Sequence, residues 1–107
     1  MPATVTLIYP LPTDTSAKPF DFTYYMEKHM PMVYENWSSV GMTGYRVIKL
    51  EADSGYSTLC TLEWESAAAF KTARSNEAVA TKIFGDIPNF STVSPGIFVV
   101  GEVIASK

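Results

Sequence analysis

An α+β domain of order β-α-β-β-α-β is the fold this sequence predicts, and three observations predict it. Runs of β-branched and aromatic residues recur near the start, twice in the middle and at the end of the chain. A helical apolar period separates the first run from the second, and further helical stretches separate the third from the last. The 107 residues suffice for one domain with a single core. Helices packed on one face of a four-stranded antiparallel sheet, the ferredoxin-like arrangement, satisfy that order.

Strand one is Thr4-Val5-Thr6-Leu7-Ile8-Tyr9, stopped by Pro10 and Pro12. After a polar loop, Asp21 can cap a helix from Phe22 to about Trp37, with Phe20 ahead of it as a staple residue. Gly41 and Gly44 mark its exit, and Pro31 should remove one hydrogen bond and bend the axis. Strands at Tyr45–Glu51 and Ser57–Trp64 are joined tightly through Asp53-Ser54-Gly55. Ser66 can cap the next helix, which breaks near Ser75-Asn76 before a helical stretch from Glu77 to about Phe84. Ile97–Ile104 forms the last strand.

A sheet with one wet face alternates apolar and polar residues. The outer strands here do not alternate cleanly. Ile97, Val99 and Val103 oppose Phe98, Val100 and Ile104, and Ile8 stands between threonines on the reverse of Val5, Leu7 and Tyr9. Both faces are therefore expected to be covered, one by helices and the other by a second subunit, which predicts a homodimer.

Composition excludes several classes. Eight basic residues are scattered singly on a chain of net charge −3, so no stripe tracks a nucleic-acid backbone. No apolar run spans a bilayer, and Met1-Pro2-Ala3-Thr4 has neither the basic start nor the apolar run of a signal peptide. A lone cysteine, Cys60, suits a reducing compartment, so a cytoplasmic protein is expected. One histidine and one cysteine do not make a structural zinc site, and no Gly-rich phosphate loop or dinucleotide fingerprint is present. Ser54-Gly55 and Ser94-Pro95-Gly96 lack the strand-Ser-helix context of a hydrolase elbow. No metal or organic cofactor is expected.

The first helix carries the candidate chemistry. At about 100° per residue, Phe22, Tyr25, Met26, His29, Met30, Met32, Val33 and Trp37 share one broad arc, with His29 near its middle. Tyr25 lies one turn earlier on the same face. An imidazole there titrates near neutrality or just below and could move a proton. The plain alternative is a hydrogen-bonded core histidine, with the methionines as adaptable packing. A functional pocket would take a small apolar or aromatic ligand shaped by Phe22, Met26 and Trp37, with Tyr45, Cys60, Asp86 or Asn89 as the remaining polar partners for His29. Cys60 itself, mid-strand beside Leu62 and Trp64, is as readily an inert core thiol.

The stretch Phe20-Asp21-Phe22-Thr23-Tyr24-Tyr25-Met26-Glu27-Lys28-His29-Met30-Pro31-Met32-Val33 resembles the EthD family signature: an aromatic-rich helix start, then Tyr, three residues, His, one residue, Pro. Phe84–Ser91 and Val100-Gly101-Glu102-Val103 resemble that family's C-terminal part, so the resemblance covers nearly the whole chain. It implies a dimeric α+β barrel, in which two ferredoxin-like sheets pack face to face. It further implies His29 as the acid/base candidate, assisted by Tyr25, in a degradative or secondary pathway. Two functions stay open on this reading. One is a cofactor-independent isomerase, dehydratase or oxygenase acting on a small carbonyl or phenolic compound. The other is a non-catalytic accessory protein that holds a hydrophobic intermediate for a partner oxygenase. Haem ligation through His29 is a third.

Overall fold

A computed structural model describes all residues, Met1–Lys107, and has the expected order with one change inside the first helix. Strands β1 (Ala3–Pro10), β2 (Met42–Lys49), β3 (Tyr56–Trp64) and β4 (Ile97–Glu102) form one sheet in the order β2-β3-β1-β4, every neighbouring pair antiparallel. Helix α1 covers residues 22–37, α2 is Ala67–Arg74 and α3 is Glu77–Phe84. All lie over the sheet face that carries Val5, Leu7, Tyr9, Cys60 and Leu62, and the core forms between them.

Local chemistry sets the boundaries. Asp21 accepts the Tyr24 N–H at 3.0 Å, and Phe20 packs on Tyr25 with ring centroids 5.0 Å apart, which staples the entry of α1. Ser66 caps α2 by accepting from Ala69, and Asn76 caps α3 by accepting from Val79. The turn between β2 and β3 closes on Gly55 at φ +83°, a left-handed conformation that glycine adopts without strain. Strand β2 begins at Met42, earlier than the apolar run suggests, and is irregular between Met42 and Gly44. Strand β4 ends at Glu102 instead of Ile104. Beyond Val103, whose N–H reaches the Pro2 carbonyl at 2.9 Å, β1 has no residue left to pair, and Ile104 is exposed.

The interior of α1 departs from a plain α-helix. Phe22–Tyr24 is α-helical, Tyr25–His29 forms a π-helical turn in which the Met30 N–H bonds the Tyr25 carbonyl, and Met30–Trp37 returns to α-helix. Pro31 explains the location. In a regular α-helix its ring would press on the Glu27 carbonyl four residues back, and the wider turn just before it relieves that contact. The expected bend is thus a change of helix type that also resets which residues face inward.

The opposite sheet face is open. Register places Ile48 beside Leu59, Leu59 beside Ile8 and Ile8 beside Ile97, an unbroken apolar row across all four strands. Val99 extends it and is half exposed. Below the row lie Thr6, Thr61 and Arg46, then Thr4, whose hydroxyl donates to Glu63 at 2.8 Å.

Candidate functional site

Two segments converge on His29. The π turn carries both Tyr25 and His29, and both are buried. Their rings are stacked, 5.2 Å between centroids and 17° between planes. Phe90, from the loop after α3, packs on the imidazole at 4.5 Å. The same loop brings Asp86, whose Oδ2 lies 2.8 Å from His29 Nδ1.

Asp86 is itself held. Its other oxygen, Oδ1, accepts from the Tyr24 hydroxyl at 2.7 Å and from the Asn89 side-chain amide at 2.8 Å. Gly85 makes this placement possible: a Cβ there would stand 2.5 Å from the Thr81 carbonyl oxygen, so any side chain would push the end of α3 and Asp86 with it. Burial alone would raise the Asp86 carboxyl. Bonds from Asn89, Tyr24 and His29 outweigh burial and hold it below the usual carboxylate range. An ionised carboxylate only accepts, so Nδ1 of His29 carries the proton and donates it. Burial lowers the His29 pKa below its ordinary value despite the opposing pull of Asp86. At neutral pH the imidazole is therefore uncharged, and its lone pair is on Nε2. That nitrogen has no partner within the chain, nor is it among the fully sealed polar atoms.

A cavity of about 20 Å³ lies beside this ring, room for one water. Its walls include Tyr25, Met30, Trp37, Phe70, Phe84 and Phe98, with His29 as the one residue of the lining that is not hydrophobic. Trp37, one of those walls, carries a buried polar atom. Its indole N–H is buried and has no acceptor. A porphyrin has no room here, so haem does not fit the site as built.

The other expected residues fall in different places. Phe22 lies outside the cavity, against Phe20 and beneath the Lys49 ammonium. Met26 points to solvent, 53% exposed, because the π turn rotates it off the arc that a regular helix would give it. Tyr45 is an exposed neighbour of Tyr34 on the edge strand and does not reach His29. Cys60 is fully buried and is not part of the cavity wall. Burial pushes its thiol up to about 11, so it is neither a ready nucleophile nor an acid for the cavity. The Tyr25 hydroxyl interacts with Cys60 and Tyr9, leaving only the Tyr25 ring to touch His29. Tyr24 was hidden in sequence because it falls off the apolar arc. Its one signal is position, directly before the Tyr of the signature.

No family model matches the chain, and no curated protein matches its sequence. Solved structures do. An EthD-like protein from Ralstonia eutropha JMP134 superposes with a TM-score of 0.79 at 28% identity, covering 99% of this chain and 95% of that one. An EthD-family protein from Bacillus halodurans C-125 gives 0.68 at 17% identity, over 97% of this chain and 100% of that one. A dimeric ferredoxin-like protein from an uncultured marine organism gives 0.61 at 18% identity, over 99% and 96%. The chain is thus similar to EthD-like proteins over nearly its whole length and shares their ferredoxin-like α+β fold.

Proposed function

We propose that this chain binds a small apolar or aromatic carbonyl or phenolic compound beside α1 and moves a proton on it with His29, without a metal or organic cofactor. The observation that supports this best is the His29–Asp86 pair, 2.8 Å apart, with the imidazole in the wall of an apolar cavity and Nε2 without a partner in the chain. Asp86 fixes the tautomer and stabilises the imidazolium that forms when Nε2 accepts a proton. Proton transfer of this kind is worth roughly 10²–10⁴-fold, enough to matter for an acidic C–H next to a carbonyl. Trp37 supplies what a substrate oxygen would need, a buried donor without an acceptor. The Tyr25 ring supports the imidazole, and its hydroxyl stays with Tyr9 and Cys60.

A ligand larger than water must displace wall side chains. Met30 is unbranched and Phe84 only half-buried, so that wall is able to open. The active species on this reading is a homodimer built on the open sheet face, where the row Ile48–Leu59–Ile8–Ile97 would be covered by its copy. A neighbour described as dimeric agrees with it.

The test is hydrogen–deuterium exchange at the acidic carbon of 2-tetralone in D2O, with binding followed separately by NMR. Exchange above buffer that is lost in His29→Ala while the probe still binds is the expected result. Binding without exchange would replace catalysis by the accessory role. Exchange that survives His29→Ala would remove His29 as the base.

A further inference from the structure

We propose that Arg74 anchors a carboxylate, so that the ligand class of the His29 cavity narrows to those small aromatic or apolar compounds that also carry a carboxylate; this rests on the pocket reading above. Arg74 ends α2 and is exposed. Its guanidinium carbon lies 4.8 Å from the ring centroid of Phe98 and 5.8 Å from that of Phe84. Both rings belong to the cavity wall. The cation therefore stands over the side chains that must yield when the cavity opens.

Its charge is otherwise unused. The one contact at ion-pair distance within this chain is between His29 and Asp86, and no Asp or Glu reaches Arg74. Two aromatic faces hold the guanidinium in place without neutralising it. A planar guanidinium matches a carboxylate with two parallel hydrogen bonds, and the side chain could make them while its stem stays on the rings. Inside the cavity no cation competes, since the wall is apolar apart from the imidazole. A ligand with an aromatic body inside and an acid group at the edge would meet the needs of both.

The chain has an internal control. Lys49 also lies over an aromatic ring, 5.6 Å from the centroid of Phe22, but Phe22 is not part of this cavity. If any cation on an aromatic ring sufficed, Lys49 would matter as much as Arg74.

The experiment is an NMR titration of the full chain with 2-naphthoate and, separately, 2-naphthamide, following the amide signals of His29 and Phe98. Naphthoate should bind about tenfold more tightly than the amide, as expected for a charge-assisted bidentate contact. Arg74→Gln should bring naphthoate down to the level of the amide, Arg74→Lys should keep part of the preference, and Lys49→Gln should leave it intact. Equal binding of the two probes, or a preference that survives Arg74→Gln, overturns the assignment of Arg74 and leaves the pocket standing. A preference lost in Lys49→Gln also overturns it. If neither probe moves the His29 signals, the pocket reading fails and this inference falls with it.

Discussion

At the scale of single residues, His29 and Asp86 both have pKa values below their ordinary ones, His29 through burial and Asp86 through its hydrogen bonds. Burial puts the folded-state pKa of His29 below its ordinary value of 6.5, so in acid the unfolded chain binds this proton first. Stability from this group is complete above about 6.5 and declines as pH falls from there towards the folded value. Asp86 is also lowered, from 3.8, and its contribution is lost only in more acidic solution, as pH falls through its folded value. Urea midpoints should therefore drop between pH 7 and 5, and His29→Gln should flatten that slope. A slope unchanged in the variant would mean that His29 is not buried neutral. Tyr24→Phe removes one of the two donors to Asp86 Oδ1, so the Asp86 carboxyl should move back up, measurable by carbon-13 NMR of its side chain. Histidine 29 was legible in the sequence as the one polar residue in an apolar arc. Asp86 stood only as one of several partners, because no local pattern says which loop residue returns across 57 positions to meet a helix.

At the scale of elements, the first helix and the end of α3 decide the geometry. A wheel at constant pitch predicts Tyr25, His29, Val33 and Trp37 on the inner face, and these are buried. It fails at Met26, because the pitch changes at residue 25 and a wheel has no means to show that. Pro31 was the visible clue: a ring that cannot sit in a regular helix must be accommodated in the turn before it. Pro31→Ala removes the cause, and the turn should relax towards α-helix, separating the Tyr25 and His29 rings. Loss of the ring-current shift on the His29 protons would report it, and an unchanged shift would show that packing, not proline, holds the π turn. Gly85→Ala meets the Thr81 carbonyl and should destabilise the fold by on the order of 1–3 kcal/mol, the range for overpacking a tight site. It should also alter the His29 titration, since Asp86 follows directly. A thermal shift with no change in that titration would mean that Asp86 is placed independently of α3.

For the whole molecule, the order of elements was legible because periods of two and of 3.6 residues alternate cleanly along the chain. The strand order β2-β3-β1-β4 follows from antiparallel pairing and helices on a single face. The size of the cavity was not legible, since it depends on how Met30, Trp37 and Phe84 settle against one another. The open sheet face makes a prediction at this scale. Its apolar row crosses central as well as edge strands, so Ile8→Glu or Leu59→Glu would set a charge in the middle of a face-to-face dimer. Light scattering at micromolar concentration should give a dimeric mass for the native chain and a monomeric mass for either variant, with far-UV circular dichroism retained. A native chain that is already monomeric contradicts the dimer.

The central claim is a neutral imidazole in the cavity wall, held by Asp86 through Nδ1 with Nε2 unpaired within the chain, and nitrogen-15 NMR of His29 tests it most directly. The account predicts the Nδ1–H tautomer at pH 7, a pKa below 6.5, and a further fall in Asp86→Asn, because the carboxylate that favours the charged form is gone. An Nε2–H tautomer, or a His29 pKa indifferent to Asp86→Asn, would contradict it.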